Sequence, residues 1–351
     1  MAASLVASYV IKRLLWAVVL FFAITLASFV LFFVIPSEPG RVGVGRSSEA
    51  IDLRNSLGVQ GPIHEEYGTF VWKVLHGSFG ESWTLRRDVR DMVVEAIPVT
   101  ASLVFGGAII WMLIAIPVGI LSAVRPRSLL DRAATVIVLI GISTHPVWIG
   151  LLLSYYFGAK LELFPIGGYC DLVTPAARCG GPADWAYHLV LPWLTFALLY
   201  AAIYMRMTRA NVLEAKNEDY VRTARAKGAG EGLILRSHVM RNASLPLVTM
   251  LAMDLGVWLV NAIFVERVYG LPGLGSLLAA SVRRNDLPVV LAIFILISMT
   301  IVIFNLVVDL IYAKLDPRVS LEATDHEGTI VREKRRGSAA AREEAPAAQP
   351  T

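Results

Sequence analysis

Charge is scarce in this 351-residue chain: Asp, Glu, Lys and Arg make up 17% of it, against 56% hydrophobic residues. Mean hydropathy is +0.61, too apolar for a water-soluble protein of this size. Catalytic motifs are missing too. No Gly-Lys pair occurs, so the chain has no phosphate-binding loop of the Walker type and does not hydrolyse ATP by that route. No GxSxG elbow and no HExxH is present, and His64, His76, His145, His188, His238 and His326 are scattered without metal-ligand spacing. These absences argue against an enzyme and against a metal site. The net charge of +4 needs no nucleic acid to explain it, because the basic residues are explained by membrane orientation.

What the chain has is long apolar runs. Six are long enough, or nearly so, to cross about 30 Å of hydrocarbon as helices: approximately Leu14–Ile35, Val99–Val124, Ala133–Phe157, Leu189–Met205, Leu245–Phe264 and Val289–Tyr312. The fourth is the shortest and holds Pro192. The first is too long for a cleavable signal and reads as a retained anchor. The predicted fold is therefore an all-α polytopic membrane protein with six transmembrane helices. Lys12 and Arg13, then Arg125, Arg127 and Arg132, then the basic residues from Arg206 to Arg241 alternate with poorly charged loops. Lys and Arg favour the cytoplasmic side, so both termini are expected there. The predicted location is the cell membrane, as a multi-pass protein.

Four regions follow: residues 1–36, an N-terminal transmembrane helix; 37–94, an extracytoplasmic loop region; 95–313, a five-helix core with a charged loop at about 211–245; and 314–351, a cytoplasmic tail. From about Asp325 the tail mixes charges of both signs with Ala and Pro, and is expected to be disordered. Its Lys334, Arg335 and Arg336 could also meet anionic lipid.

The charged loop carries clear helix punctuation. Asn217 reads as an N-cap, Glu218 and Asp219 place negative charge in the first turn, and Arg225 and Lys227 place positive charge in the last. Gly228, Gly230 and Gly232 permit a sharp turn before a second helix. A short rigid helix at a membrane face is a docking element for a soluble partner; a basic loop against lipid headgroups is the plainer alternative. On the other side, Cys170 and Cys179 sit nine apart in a Gly- and Pro-rich loop. That side is oxidising, which favours a disulfide closing a small loop; two free thiols remain the alternative. GLPGLG at Gly270–Gly275 followed by RRNDLP reads as turn, short helix, turn, and suggests a compact lid. Within the spans, Asp254 and His145 are expected either to face a translocation path or to serve packing, and Asp309 reads as structural.

These residues resemble a known family: the permease subunits of binding-protein-dependent ABC importers, in the dipeptide, oligopeptide and nickel branch. The similarity is carried by LGVQGPIHEEYGTFVWKVLHGSFGES at Leu57–Ser82, IPVT at Ile97–Thr100, ARAKG at Ala224–Gly228 with HVMRNASLP ending at Pro246, VERVYGLPGLGSLL at Val265–Leu278 and YAKLDPR at Tyr312–Arg318. Where the wider family opens its loop motif with Glu-Ala-Ala, this chain has Arg222-Thr223-Ala224, and Gly228 is retained. The resemblance implies the type I importer permease fold, with a coupling helix at about Asp219–Gly230. Its contacts with an ATPase would come from Tyr220, Arg222, Thr223, Ala224, Arg225, Lys227, Gly228 and Gly230. An outer gate is implied at Glu266, Gly270, Pro272, Gly273 and Gly275. The implied partners are a second homologous permease, two cytoplasmic ABC ATPases that hold ATP and Mg, an extracytoplasmic solute-binding protein and membrane lipid. No cofactor is expected on this chain. Di- or oligopeptides are the favoured solute, with nickel or another small solute as alternative. A self-contained carrier or channel is the competing class.

Overall fold

The computed structural model describes residues 2–34, 63–172, 179 and 181–315, and these are helices and connecting turns with no strand among them. The elements are α1 (Ala2–Phe29, prolonged by a π-helical turn at Val30–Val34), α2 (Ile63–Leu75), α3 (Val89–Val124), α4 (Leu129–Ser143), α5 (Pro146–Leu153, widening into a π-turn at Ser154–Lys160) and α6 (Pro182–Asn217). After them come α7 (Asp219–Ala226), a turn at Glu231–Leu233 that widens over Ile234–Val239, α8 (Met240–Tyr269), α9 (Leu274–Arg283) and α10 (Leu287–Leu315). The chain divides into two units, residues 1–23 with 302–351 and residues 24–301. Apart from the candidate spans named next, the contacts described below are within the second. The disordered-tail expectation and the YAKLDPR motif beyond Leu315 lie outside the described residues, as do Leu57, Gly58 and Pro62.

Four helices, α1 at Val10–Phe32, α3, α6 and α10 at Leu287–Val308, are long and apolar enough to cross a membrane. Two further candidates are bent: α4 with α5 by 109°, and Glu231–Leu251, which includes the first part of α8, with Gly256–Tyr269 by 62°. The third run, expected over Ala133–Phe157, is thus broken at Thr144–His145. Pro146 has no N–H to donate, and its ring pushes the preceding residue out of helical backbone. Thr144 and His145 are extended accordingly, with ψ 136° and 142°.

The fourth span, expected to be short, belongs to a helix of 36 residues. Arg206, Arg209 and Lys216 end the apolar window without ending the helix. Met205, Thr208, Val212 and Ala215 recur at helical spacing and stay buried, so one face keeps packing. α3 starts at Val89, ten residues before the expected Val99, because Val89, Met92, Val93 and Ala96 pack on Leu274 of α9 and Val289, Ala292 and Ile293 of α10.

The core lies between α3, α4, α6 and α8, built on Leu103, Trp111, Val138, Phe196, Tyr200, Tyr204, Trp258 and Val265. Small residues bring α3 and α6 together. A Cβ on Gly119 would lie 2.7 Å from Thr208 Cβ and 2.8 Å from the Met205 carbonyl. Close backbone approach of this kind is how helices associate where no hydrophobic drive exists.

Three polar contacts mark the two ends of this bundle. At one end Asp131 of α4 accepts from Arg209 of α6 at 2.7 and 3.1 Å, from the Arg127 N–H at 2.8 Å and from Ser122 of α3. At the other, Tyr269 of α8 donates to the Gly150 carbonyl of α5 at 3.1 Å and shares a 2.8 Å hydrogen bond with Thr195 of α6. There too, Thr100 of α3 meets Glu266 of α8.

Candidate functional site

The charged knob begins one residue later than expected. Asn217 is the last residue of α6, and Glu218, with extended backbone, takes the N-cap position of α7. α7 ends at Ala226, short of the expected Gly230, and Lys227 caps it. Gly228 has φ +84°, a left-handed conformation that costs a side-chain-bearing residue roughly 1–2 kcal/mol. Gly230, at φ −67°, needs no such freedom and opens the next turn.

One face of α7 is seated. Val221 is fully buried in a cluster with Val212 and Ala215 of α6, Ile234, Val239 and Ala243, and Tyr220 and Ala224 lie at its margin. The other face is exposed: among the described residues Arg222 pairs only with Asp219 one turn back, at 3.4 Å, and both are exposed. Arg225 bridges Glu231 across the turn at 2.6 and 3.2 Å. That carboxylate pushes the Arg225 guanidinium above its already high pKa, so it stays charged. The result is a short helix fixed along one side and presenting Arg222, Thr223 and Lys227 outward.

Between the ends lies Asp254, half-buried at the bend of α8, where it accepts a 2.8 Å hydrogen bond from the Tyr204 hydroxyl of α6. His145 is elsewhere. It is exposed at the N-cap of α5, where Nδ1 accepts the Val147 N–H at 3.3 Å, and its ring meets Phe264 edge-on at 5.0 Å. The two path candidates share no contact in the protomer. The side chain of Asp309 lies outside those described.

At the far end, Glu266 is fully buried at the C-terminal end of α8. Its carboxylate accepts from Thr100 Oγ1 at 2.6 Å and from the Ser276 N–H at 2.8 Å, and Thr100 Oγ1 in turn accepts the Leu274 N–H at 2.8 Å. An acid at the N-terminus of α9 satisfies donors the helix cannot pair itself. Gly270 ends α8 in left-handed backbone at φ +62°. Gly273 and Gly275 are there for space: a Cβ on the first would lie 2.3 Å from Glu266 Oε1, on the second 2.5 Å from Ile263 Cα. Pro272 and Gly273 line a cavity of about 640 Å³ with Leu85, Arg87, Glu95 and Tyr169. Cys170 and Cys179 form a disulfide, and no residue group among those described clusters as metal ligands would.

Sequence reasoning missed three partners. Thr100 is 166 residues from Glu266. Buried Asp286 accepts from Ser82 Oγ at 2.5 Å and from the N–H groups of Trp83 and Thr84, tying the segment before α3 to the start of α10. Asp131 and Arg209 pair across 78 residues. Only the last left a local trace, Ser128 three residues before Asp131, a helix-start pattern in which the Ser128 hydroxyl accepts the Asp131 N–H.

Comparison with known proteins identifies the family. The model described as "Binding-protein-dependent transport system inner membrane component" matches residues 115–321, and the N-terminal model of the same transport systems matches residues 6–104. A protein of Brucella suis biovar 1 carried under the name peptide permease protein is 35% identical over 89% of this chain and 99% of its own length. The D,D-dipeptide transport system permease protein DdpB of Escherichia coli K12 is 34% identical, covering 88% of this chain and 97% of its own. The glutathione transport system permease protein GsiC of the same strain is 34% identical, covering 89% and 98%. Two family models spanning most of the sequence, on a helical bundle with several membrane-length helices, place this chain in the family of inner-membrane permease components of binding-protein-dependent transport systems.

Proposed function

We propose that this chain forms half of the translocation path of an ATP-driven importer for di- or oligopeptides. The observation that carries the reading is α7: a short helix seated on the bundle by Val221, with its outer face of Arg222, Thr223 and Lys227 free to enter a cleft of a soluble partner. A second homologous permease would complete the path. Two cytoplasmic ABC ATPases would bind ATP and Mg, and an extracytoplasmic binding protein would deliver solute beside the hairpin of Glu266, Gly270, Pro272, Gly273 and Gly275. The relatives' names, which speak of peptides, a D,D-dipeptide and glutathione, support peptide over nickel.

The chain crosses the cell membrane six times, with both termini in the cytoplasm. Two contacts support counting bent α4–α5 as a crossing. Asp131 at its start meets Arg209 in the second half of α6, whereas Gly150 meets Tyr269, which bonds Thr195 in the first half of α6. Thr195 and Arg209 are about 21 Å apart along a helix, so the pair advances by about that distance along α6, which supports a crossing.

The test is reconstitution. The permease pair, ATPases and binding protein, taken from neighbouring reading frames, go into vesicles with a labelled dipeptide outside. ATP-dependent accumulation that requires the binding protein is expected. Accumulation without the ATPases would make the chain a self-contained carrier. Uptake of nickel and not of peptide would overturn the substrate.

A further inference from the structure

The carboxylate of Asp254 is the feature that membership of the family leaves unexplained. It sits in the middle of an apolar helix, where an ionised acid is retained only when something compensates it. Among the described residues it meets no Lys, Arg or His. Its one hydrogen bond is the 2.8 Å contact that Tyr204 donates to Oδ2. A carboxylate can accept about four hydrogen bonds, so Oδ1 is left for another donor. Arg209, five residues beyond Tyr204 on the same helix, is held by Asp131 at the end of the bundle, and Arg206 is exposed.

Tyr204 itself is tightly fixed. It is 1% exposed, and its ring lies 4.0 Å from that of Trp111. Trp111 packs in turn on Trp258 at 5.5 Å, and Trp258 on Tyr200 at 5.8 Å. Rings interlocked at such distances set one position for the phenol. The hydroxyl therefore aims Asp254 and holds one of its oxygens.

The rest of α8 shows what adjoins the residue. Met253, Val257 and Val260, on the helix face adjoining Asp254, are 72%, 52% and 50% exposed in the protomer. Asp254 is half-buried at the border of that face, at the bend in α8. It is thus an acid with one oxygen anchored, on the rim of an otherwise apolar surface and with no internal counter-charge.

The chemistry that fits is a small cation with several donors. An aliphatic ammonium brings a full positive charge and three N–H groups. A neutral amide brings no charge, and a carboxylate would be repelled. We infer that Asp254, positioned by Tyr204, holds the primary ammonium group of a solute in transit, so that the importer favours solutes with a free amine. The inference rests on the proposed permease role and sharpens its peptide reading, since every unblocked peptide carries such a group. Asp254 is the contact residue and Tyr204 a positioning residue.

Two readouts test it on membranes holding the whole importer. The first is labelling of Asp254 by dicyclohexylcarbodiimide, measured by mass spectrometry of the adduct, with n-butylammonium, Ala-Ala or N-acetyl-Ala-Ala present. n-Butylammonium and Ala-Ala should slow labelling several-fold, and N-acetyl-Ala-Ala should not. Protection by n-butylammonium alone keeps the ammonium site and removes the peptide reading. Protection by neither amine overturns the inference, whatever the importer carries. The second is uptake by Asp254→Asn, which keeps an oxygen for Tyr204 and removes the charge. The ratio of Ala-Ala to N-acetyl-Ala-Ala uptake should fall by about tenfold, the equivalent of about 1.4 kcal/mol. Tyr204→Phe should lower the same ratio less, with the level of assembled protein unchanged. An equal loss for both solutes, with poorer assembly, would make Asp254 a protonated packing residue and overturn the assignment.

Discussion

At the scale of single residues, the Glu266–Gly275 hairpin hangs on one hydroxyl. Thr100 Oγ1 both donates to Glu266 and accepts the Leu274 N–H. Thr100→Val keeps the shape and strands two buried groups, each worth about 1–3 kcal/mol. Thr100→Ser restores both bonds. Hydrogen exchange over Pro272–Arg283 should therefore rise in the valine variant and stay low in the serine one, with α7 unchanged in both. Exchange that rises equally in the two would place the effect in the lost methyl packing. The glycines of the knob make a second contrast. Gly228→Ala puts a side chain at φ +84°, whereas Gly230→Ala meets nothing within 4 Å at an ordinary φ. Stimulated ATPase activity of the assembled importer should drop in the first and be kept in the second, which should also be neutral or slightly stabilising. Equal loss in both would mean that the glycines matter for contact with the partner and not for the turn.

At the scale of elements, α7 was legible because everything that makes it is local. Acidic residues open it, basic ones close it, and a glycine stops it, all within twelve positions of the sequence. What holds it down was not legible. Val221 is buried by Ile234 and Val239 from a segment that widens into π-helix, and nothing in the pattern signals that geometry. Charge misled in the opposite direction at α6, whose helix runs on past Arg206 because its buried face continues. The dipeptide His145-Pro146 marked a break, but the 109° angle was not legible, nor were the contacts on either side of it, Gly150 with Tyr269 and Asp131 with Arg209. The outer hairpin showed its turns and hid its clamp, since Thr100 and Glu266 meet only after folding. Two predictions belong here. Val221→Asp should release α7 and abolish ATPase stimulation while the α3–α6 core keeps its thermal stability; retained stimulation would mean that the seat is dispensable. Replacing Cys170 and Cys179 by Ser removes a link across nine residues, an entropic effect of about 2–3 kcal/mol on the loop. Increased exchange between α5 and α6 with transport preserved is expected, because the core cluster of α3, α4, α6 and α8 is built without that loop. Lost transport would give the loop a role in docking or gating.

At the scale of the molecule, α8 is the element that joins the sites. It begins against the buried side of α7 through Ala243, bends at Asp254, and ends on Glu266 and Tyr269, which hold the outer hairpin. A pull on α7 therefore has a continuous path to the hairpin, provided that the two lie on opposite sides of the membrane. That proviso rests on the bent α8 crossing, and the sides of the segments before α6 rest on the bent α4–α5 pair. If the pair crosses, Leu129 before the bend and Arg222 on α7 face the cytoplasm, and Leu163 after it and Arg284 behind α9 face outward. If the pair is re-entrant, Leu129 and Leu163 share a side. All four residues are exposed, so each can carry a single cysteine in a background with Cys170 and Cys179 replaced. A membrane-impermeant maleimide applied to intact cells should label Leu163→Cys and Arg284→Cys, and should reach Leu129→Cys and Arg222→Cys only after the membrane is opened. Labelling of Leu129→Cys and Leu163→Cys from one side would make α4–α5 a re-entrant hairpin. Labelling of Arg222→Cys and Arg284→Cys from one side would remove the mechanical path from knob to gate. The Asp131–Arg209 and Gly150–Tyr269 contacts, at opposite ends of the same bundle, favour the crossing.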